Sequence, residues 1–381
     1  MAEMACLWRR SLHAAIALAL PAAALGQAAS KAKSPPALGI VEELRVPLPD
    51  ARAQRGSALL VGADGLMISI PLWGGEMVAF DSTGKQLPYK QTIGGPTDPE
   101  IRYAERFGWV GKTMWVWDPP SQQIALVDPQ LKVTKSLEIP AWIRPTWADR
   151  RKYPVFARMN PLALYPDGSW LVGPTNPKSL VDTPDYDKTK TYVVRITESG
   201  SIQRTIAKVP WLPNAARGVP AEKGKQVSPR NFAFWSASSE GSRILFGIPS
   251  TTAGDSNHVL TLINEKGDTI YSRPMFFADP VAAARVGRDG SAWLQLRGRT
   301  GDRTWLALDP SGRVRGTVTF ENNTFIHDAD ATRIWTTERV GNTQLLVRYK
   351  LTNAPPPRTP APSKSSGRPR PPASASPSST P

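Results

Sequence analysis

The sequence predicts an all-β domain of four-stranded units joined in a ring, and three observations carry that prediction. Between Ile40 and Thr352, short segments rich in β-branched and aromatic residues alternate with Gly, Pro and Asp, and helical periodicity is nearly absent. Two turn signatures recur in a fixed order along that stretch. The last repeat lacks one strand, and a segment of the missing pattern stands at the start of the domain.

In chain order, residues 1–26 read as an export signal. Arg9 and Arg10 form the basic region, SLHAAIALALPAAAL the apolar run, and ALGQA offers small residues for cleavage near Gly26 or Ala28. The apolar run is shorter than the roughly 20 residues of a spanning helix, and WRRSLH is a poor match to a twin-arginine signal. Residues 27–39 read as a linker. Cys6, the single cysteine, precedes the apolar run, so the mature chain carries no thiol. That excludes disulfides, a cysteine nucleophile and cysteine-based zinc or iron–sulfur sites. His13 leaves with the signal, and His258 and His327 read as ordinary strand or loop residues.

The first turn signature is an Asp-Gly-like turn followed by a bulky apolar strand. It occurs at Gly65 (ADGLMISI), Gly111 (VGKTMWVW), Gly168 (PDGSWLV), Gly241 (SEGSRILF) and Gly290 (RDGSAWLQL), with a degenerate copy, DATRIWTT, at Ala331. Intervals of 41 to 73 residues suit blades with loop insertions. The second signature follows each of the first five: VAFDSTGK, ALVDPQLK, VRITESGS, TLINEKGD and LALDPSGR. Each reads as an outer hairpin in which Asp, Asn or Thr opens the turn and Gly, where present, takes a positive φ. Four strands per unit follow. After the sixth signature the chain supplies three strands only, and IVEELRVPLP (residues 40–49) has the apolar pattern and proline ending of an outer strand. Set against Leu345 to Leu351, it completes the last unit and leaves no open sheet edge.

On these motifs, over about 310 residues of the chain, the sequence resembles the six-bladed β-propellers of the NHL-repeat and TolB-like kind. The resemblance implies six four-stranded blades over residues 40–352 and says little about function. Trp117-Asp118 falls between the second and third strands of its blade and the Gly-His partner is missing, so the WD-repeat pattern is not met. Sialidase-type Asp boxes are missing too. Residues 353–381 hold proline, serine, alanine and basic residues with no acid, which predicts a disordered, partly polyproline-extended tail.

Blade topology separates two faces. Turns between strands one and two, and between three and four, share one face and are tight here. Connections between strands two and three, and between blades, share the other; they read as long and irregular, and become the functional candidate. The chain carries a formal charge of +15, and the interblade segment from Ile139 to Arg158 interleaves Trp142, Trp147 and Tyr153 with Arg144, Arg150, Arg151 and Lys152. Val209 to Arg230 is the second basic segment. Guanidinium forks suit carboxylate or phosphate, and aromatic faces suit sugars or peptides. Trp142, Arg144, Trp147, Arg150, Arg151, Lys152 and Arg230 are therefore the expected binding residues. The expected partner is an extracytoplasmic protein or an anionic polysaccharide; nucleic acid is disfavoured for an exported chain despite its charge. A monomer without cofactor is expected.

The alternative is a metal-dependent lactonase or gluconolactonase-like hydrolase, in which Asn160 and Asn231 would help to hold a divalent cation such as Ca²⁺. Eight residues before each blade glycine, register gives Ser57, Tyr103, Asn160, Ala233, Ala282 and Asn323, a ring without a carboxylate and a poor site for a hard cation. Asn231 joins that ring only if blade four carries a two-residue bulge. Asp182, Asp185 and Asp187 form an acidic cluster without a complete calcium-loop motif, and no G-x-S-x-G elbow is present. His327-Asp328 lies on the last inner strand, where a packed histidine is expected. In VWDPPSQQIALVDPQLK, Asp118 and Asp128 are placed at opposite ends of one strand, which rules them out as a catalytic pair.

Overall fold

The computed structural model describes residues 35–48, 57–138 (apart from 73, 95–99 and 122), 161–175, 190–210 (apart from 200), 234–249, 257–297 (apart from 278) and 303–352 (apart from 322). The export signal, residues 27–34 of the linker and the tail lie outside the described residues. The chain opens with β1 (Gly39–Pro47). Blade one is β2 (Ser57–Val61), β3 (Met67–Pro71), β4 (Gly75–Phe80) and β5 (Gln86–Ile93). Blade two is β6 (Arg106–Val110), β7 (Thr113–Asp118), β8 (Gln123–Val127) and β9 (Val133–Glu138). Blade three is β10 (Pro161–Leu164), β11 (Trp170–Thr175), β12 (Lys190–Ile196) and β13 (Ile202–Pro210). Blade four is β14 (Phe234–Ala237), β15 (Arg243–Pro249), β16 (Asn257–Asn264) and β17 (Thr269–Phe276). Blade five is β18 (Val281–Val286), β19 (Ala292–Arg297), β20 (Arg303–Leu308) and β21 (Val314–Phe320). Blade six is β22 (Thr324–Ala329), β23 (Arg333–Val340), β24 (Thr343–Thr352) and the returning β1.

The protein is thus a six-bladed β-propeller, and β1 closes it. Gly39 pairs with Thr352 and Pro47 with Leu345, with a bulge between Glu42 and Leu44. The three residues before β1 also latch onto blade five: Thr317 donates its N–H to the Pro36 carbonyl, and Leu38 donates to the Thr317 carbonyl, both at 2.8 Å. Among the described residues, buried apolar clusters fill each of the six junctions between neighbouring blades. At the junction of blades two and three, Trp115 meets Trp170 edge-on with ring centroids 5.6 Å apart, worth about 0.5–1.5 kcal/mol beyond burial.

The turn grammar is realised atom by atom. Asp81, Asp128, Asn264 and Asp309 each use one side-chain oxygen to accept backbone N–H groups two and four residues ahead. The residue just before the end of each such turn needs a positive φ, and Gly84, Gly267 and Gly312 supply it at 77° to 86°. Blade two places Leu131 there at φ 61°, the one non-glycine residue with positive φ among the described residues. Its side chain is fully buried between blades one and two, and that burial offsets the roughly 1–2 kcal/mol cost of the left-handed conformation.

The first signature is less uniform than its spelling suggests. In blades one, three, four and five the glycine follows the last paired residue of the inner strand by four positions. In blade two Val110 pairs directly with Thr113, so Gly111-Lys112 is a two-residue hairpin loop. In blade six Ala329 pairs with Ile334, a loop one residue shorter than that of blade one. Counting back from strand ends rather than from glycines replaces Tyr103 by Arg106 and Asn323 by Phe325 in the inner-strand ring. The expectation of long second-to-third-strand loops also fails in blade six, where Val340 pairs with Thr343 across Gly341-Asn342. Among the described residues no helix is long and apolar enough to cross a membrane.

Candidate functional site

The innermost strands β2, β6, β10, β14, β18 and β22 surround the axis of the ring, and their last residues approach the tight-turn face. There the blades lock together. The Val61 carbonyl of blade one accepts the Trp109 indole N–H of blade two at 2.8 Å and the Arg288 guanidinium of blade five. The Trp109 backbone N–H donates to the Ser239 carbonyl of blade four at 2.9 Å. Arg288 also pairs with Glu240 of blade four at 2.8 Å. Tyr165 of blade three donates to the Gly241 carbonyl at 3.2 Å, and Asp289 of blade five accepts the Ala331 N–H of blade six at 2.8 Å. Contacts linking all six blades therefore form a floor at this end of the axial channel, or well.

Gly108 shows how tight the floor is. A Cβ built on it overlaps the Ser239 carbonyl oxygen, with the Trp115 Nε1 at 2.9 Å. Because the nearest obstacle is backbone of another blade, Gly108→Ala is expected to cost about 1–3 kcal/mol, read as a lowered urea midpoint with unchanged slope. An unchanged midpoint would show that blades two and four do not meet there.

Above the floor the well is lined by charge. Arg285, one residue before the end of β18, donates Nη1–H to the Ala284 carbonyl at 2.9 Å, and burial lowers its pKa against the opposing pull of Asp328. A bulge in β22 between Ile326 and Asp328 breaks strict alternation. Both His327 and Asp328 consequently sit among the channel cations. His327 Nε2 lies 2.8 Å from the Thr337 hydroxyl; burial, helped by Arg285, pushes its pKa down to about 3. Burial pushes the Asp328 carboxyl up to about 7, with Glu240 and Asp330 adding to the rise and Arg288 opposing it. Both side chains still touch solvent in part.

Arg106 stands at the start of β6, nearer the mouth. Its guanidinium lies 6.0 Å from the Trp235 ring on the inner strand of blade four, within cation–π range. Its Nε is buried without a hydrogen-bond partner, and burial lowers its pKa, with Glu105 as the opposing charge. Among the described residues, neither Arg106 nor Arg285 has a carboxylate within ion-pair distance. Arg288 is neutralised by Glu240, so among the described residues Arg106 and Arg285 lack an ion-pair partner, and the Asp328 carboxyl beside Arg285 is only half ionised near neutrality.

Trp142, Arg144, Trp147, Arg150, Arg151, Lys152, Tyr153 and Arg230 lie outside the described residues, as do Asn160, Asn231, Ala233, Asp182, Asp185 and Asp187. Asn323 donates its side-chain amide to the Arg339 carbonyl and serves the entry to blade six. At the level four residues before the inner-strand ends, the described side chains are Ser57, Arg106, Ala282 and Phe325. A guanidinium, two apolar groups and one hydroxyl do not fit a divalent cation. Asp118 is buried and accepts the Arg102 N–H at 2.6 Å and the Ser121 hydroxyl at 2.7 Å. It pins its loop, while Asp128 builds the outer turn at the other face. His258 is packed between Phe234 and Phe277, with ring centroids at 5.8 and 5.3 Å.

No family model and no curated protein matches the chain. Solved structures that resemble it include a member of the DUF4221 family from Bacteroides vulgatus, 10% identical with TM-score 0.49, covering 84% of this chain and 99% of that one. Virginiamycin B lyase from Staphylococcus aureus is 13% identical with TM-score 0.37, covering 83% and 99%. BamB from Moraxella catarrhalis is 10% identical with TM-score 0.35, covering 82% and 99%. Likeness at this level carries no chemistry, and the architecture rests on the strand pairing itself.

Proposed function

We propose that the chain is an exported, non-catalytic binding propeller that engages an anionic partner, an extracytoplasmic protein or a polysaccharide, from its long-loop side. The observation that carries this reading is the set of cross-ring contacts at the tight-turn end, where Val61, Trp109, Ser239, Glu240 and Arg288 tie blades one, two, four and five together. Approach to Arg106 and Arg285 is therefore read as coming from the opposite side. The basic and aromatic stretch from Ile139 to Arg158 joins the end of β9 to the start of β10, and both strand ends belong to that side. A cationic rim above a cationic well concentrates anions and orients their approach.

The reading is tested with an immobilised anionic polysaccharide, polygalacturonate, at low salt. Wild-type protein is expected to be retained, and the charge-reversed Arg150→Glu, Arg151→Glu variant to lose affinity by about tenfold or more. Both are measured without residues 353–381, whose Arg358, Lys364, Arg368 and Arg370 would capture polyanions by themselves. Equal retention of the two proteins removes the long-loop face as the docking surface.

A further inference from the structure

We propose that the cleft between blades two and three is a docking groove for the chain's own proline-rich tail, and that residues 368–372 (RPRPP) are the stretch that fills it. The cleft opens beside the tight turns, away from the long-loop face, so the inference stands independently of the partner surface.

The cleft has a volume of about 210 Å³, with Leu126 and Leu137 of blade two on one side and Tyr165 and Trp170 of blade three on the other. An apolar cavity of about 150 Å³ accepts a benzene ring, so this one has room for one or two pyrrolidine rings.

At the other junctions the chain itself leans on the outer strand of the preceding blade. Gly84 lies against Leu44 and Val46 of β1, Gly267 against the Ile206 carbonyl, and Gly312 against the Tyr271 ring; Leu131 is buried in the cluster of blades one and two. Blade six has no outer turn, and the residues before β1 stand in for it: Pro36 and Leu38 pack on Gly316 of β21 and bond through their backbones to Thr317. Blade three differs. Its outer turn opens on Thr197, whose hydroxyl accepts the Ser201 N–H at 2.9 Å, and Glu198 of that turn borders the cleft instead of filling it. An extended segment led by proline is thus how this fold already fills a junction that has no outer turn of its own.

Charge selects the tail. Residues 353–381 carry four basic residues and no acid, and the cleft is bordered by Glu138 and Glu198 against Lys135. Polyproline segments dock in aromatic-lined grooves because they are extended before they bind, and arginines set among the prolines can pair with Glu198.

Length selects the stretch. The Leu351 N–H donates to the Thr332 carbonyl in the turn between β22 and β23, so the tail leaves β24 on the tight-turn face. With four strands per blade spaced about 4.8 Å apart, crossing that face from blade six to the cleft takes roughly 40 Å. Arg368 lies 16 residues beyond Thr352, which gives a reach of about 50 Å at about 3.1 Å per residue. The nearer APPPR, residues 354–358, reaches only about 19 Å and falls short.

The test follows the fluorescence anisotropy of a labelled peptide of residues 362–376 titrated with the full chain. Arg368→Glu, Arg370→Glu in the full chain is expected to release the cleft and bind the peptide saturably. Wild type is expected to bind it at least tenfold more weakly, because its own tail holds the cleft at an effective concentration near millimolar. Adding Leu137→Asp or Glu198→Lys to the released chain is expected to weaken the peptide by about tenfold. Glu198 is exposed, so its variant keeps the test valid where thermal unfolding shows the Leu137 variant to be unfolded. Absence of saturable binding, equal affinity for wild type and the released chain, or unchanged affinity in folded Glu198→Lys would each overturn the proposal. Wild-type dimers that vanish in Arg368→Glu, Arg370→Glu would place the tail in a second copy and overturn the contact within one chain.

Discussion

Removing residues 1–47 is expected to destroy the cooperative unfolding transition of the ring or to lower its midpoint by about 10 °C or more, with self-association of what remains. β1 contributes eight residue pairs to β24, and without them β24 becomes a long unpaired edge, a template for pairing with another chain. Charge is lost as well. Glu43 bridges Arg333 at 2.8 Å and Arg348 at 3.1 Å, with its pKa lowered chiefly by the Arg333 hydrogen bond, and Arg45 meets Glu338 at 3.0 Å. The Pro36–Leu38 latch on Thr317 disappears in the same deletion, so blades five and six lose their shared strap. Loss of a whole strand, its ion pairs and Leu38 amounts to at least about 5 kcal/mol, and for a domain of this size each kcal/mol moves the midpoint by about 2 °C. Light scattering after gel filtration reads the association, and calorimetry the transition. A monodisperse monomer with an unchanged midpoint would show that ring closure contributes nothing. Adding back a peptide of residues 35–48 is expected to restore the transition, which separates strand loss from a general folding defect.

How much of this was legible follows from where the information sits in the chain. Turns are local, so Asp81, Asn264 and Asp309 with their partner glycines announce the outer hairpins, and the incomplete sixth repeat points to residues 40–49 as its missing strand. Leu131 shows the limit even there: nothing local says that a leucine takes the glycine position, because the compensation is burial against blade one. The well is non-local, and the sequence exposes it poorly. Gly111 looks equivalent to Gly65, yet its hairpin is three residues shorter, so counting back from glycine lands on Tyr103 and misses Arg106. The signal that finds Arg106 is the end of the apolar run in RFGWV, which marks the strand end directly. The bulge at His327 leaves no mark in TFIHDA, and with regular alternation only one of His327 and Asp328 would join the channel charges. The sealing contacts of Val61, Ser239 and Arg288 link residues up to 227 positions apart, beyond the reach of any repeat pattern.

Asp328→Asn is expected to stabilise the protein by about 4 kcal/mol at pH 8 and by only about 1–2 kcal/mol at pH 5. The Asp328 carboxyl holds its proton to about pH 7 in the folded chain, against an ordinary value of 3.8. Between those limits the folded state binds a proton that the unfolded state lacks, so stability falls as pH rises through the window and levels off above it. A gap of roughly three pK units at about 1.4 kcal/mol each sets the size of the effect. Asparagine never ionises, yet its side-chain oxygen can still accept the Ala329 N–H that Asp328 accepts at 2.8 Å. His327 works in the opposite sense: held neutral down to about pH 3 against 6.5, it costs stability as pH falls from 6.5. That contribution is shared by wild type and variant and cancels in their difference. Urea unfolding at the two pH values measures it, and a stability gain that is the same at both would show that Asp328 does not titrate between them.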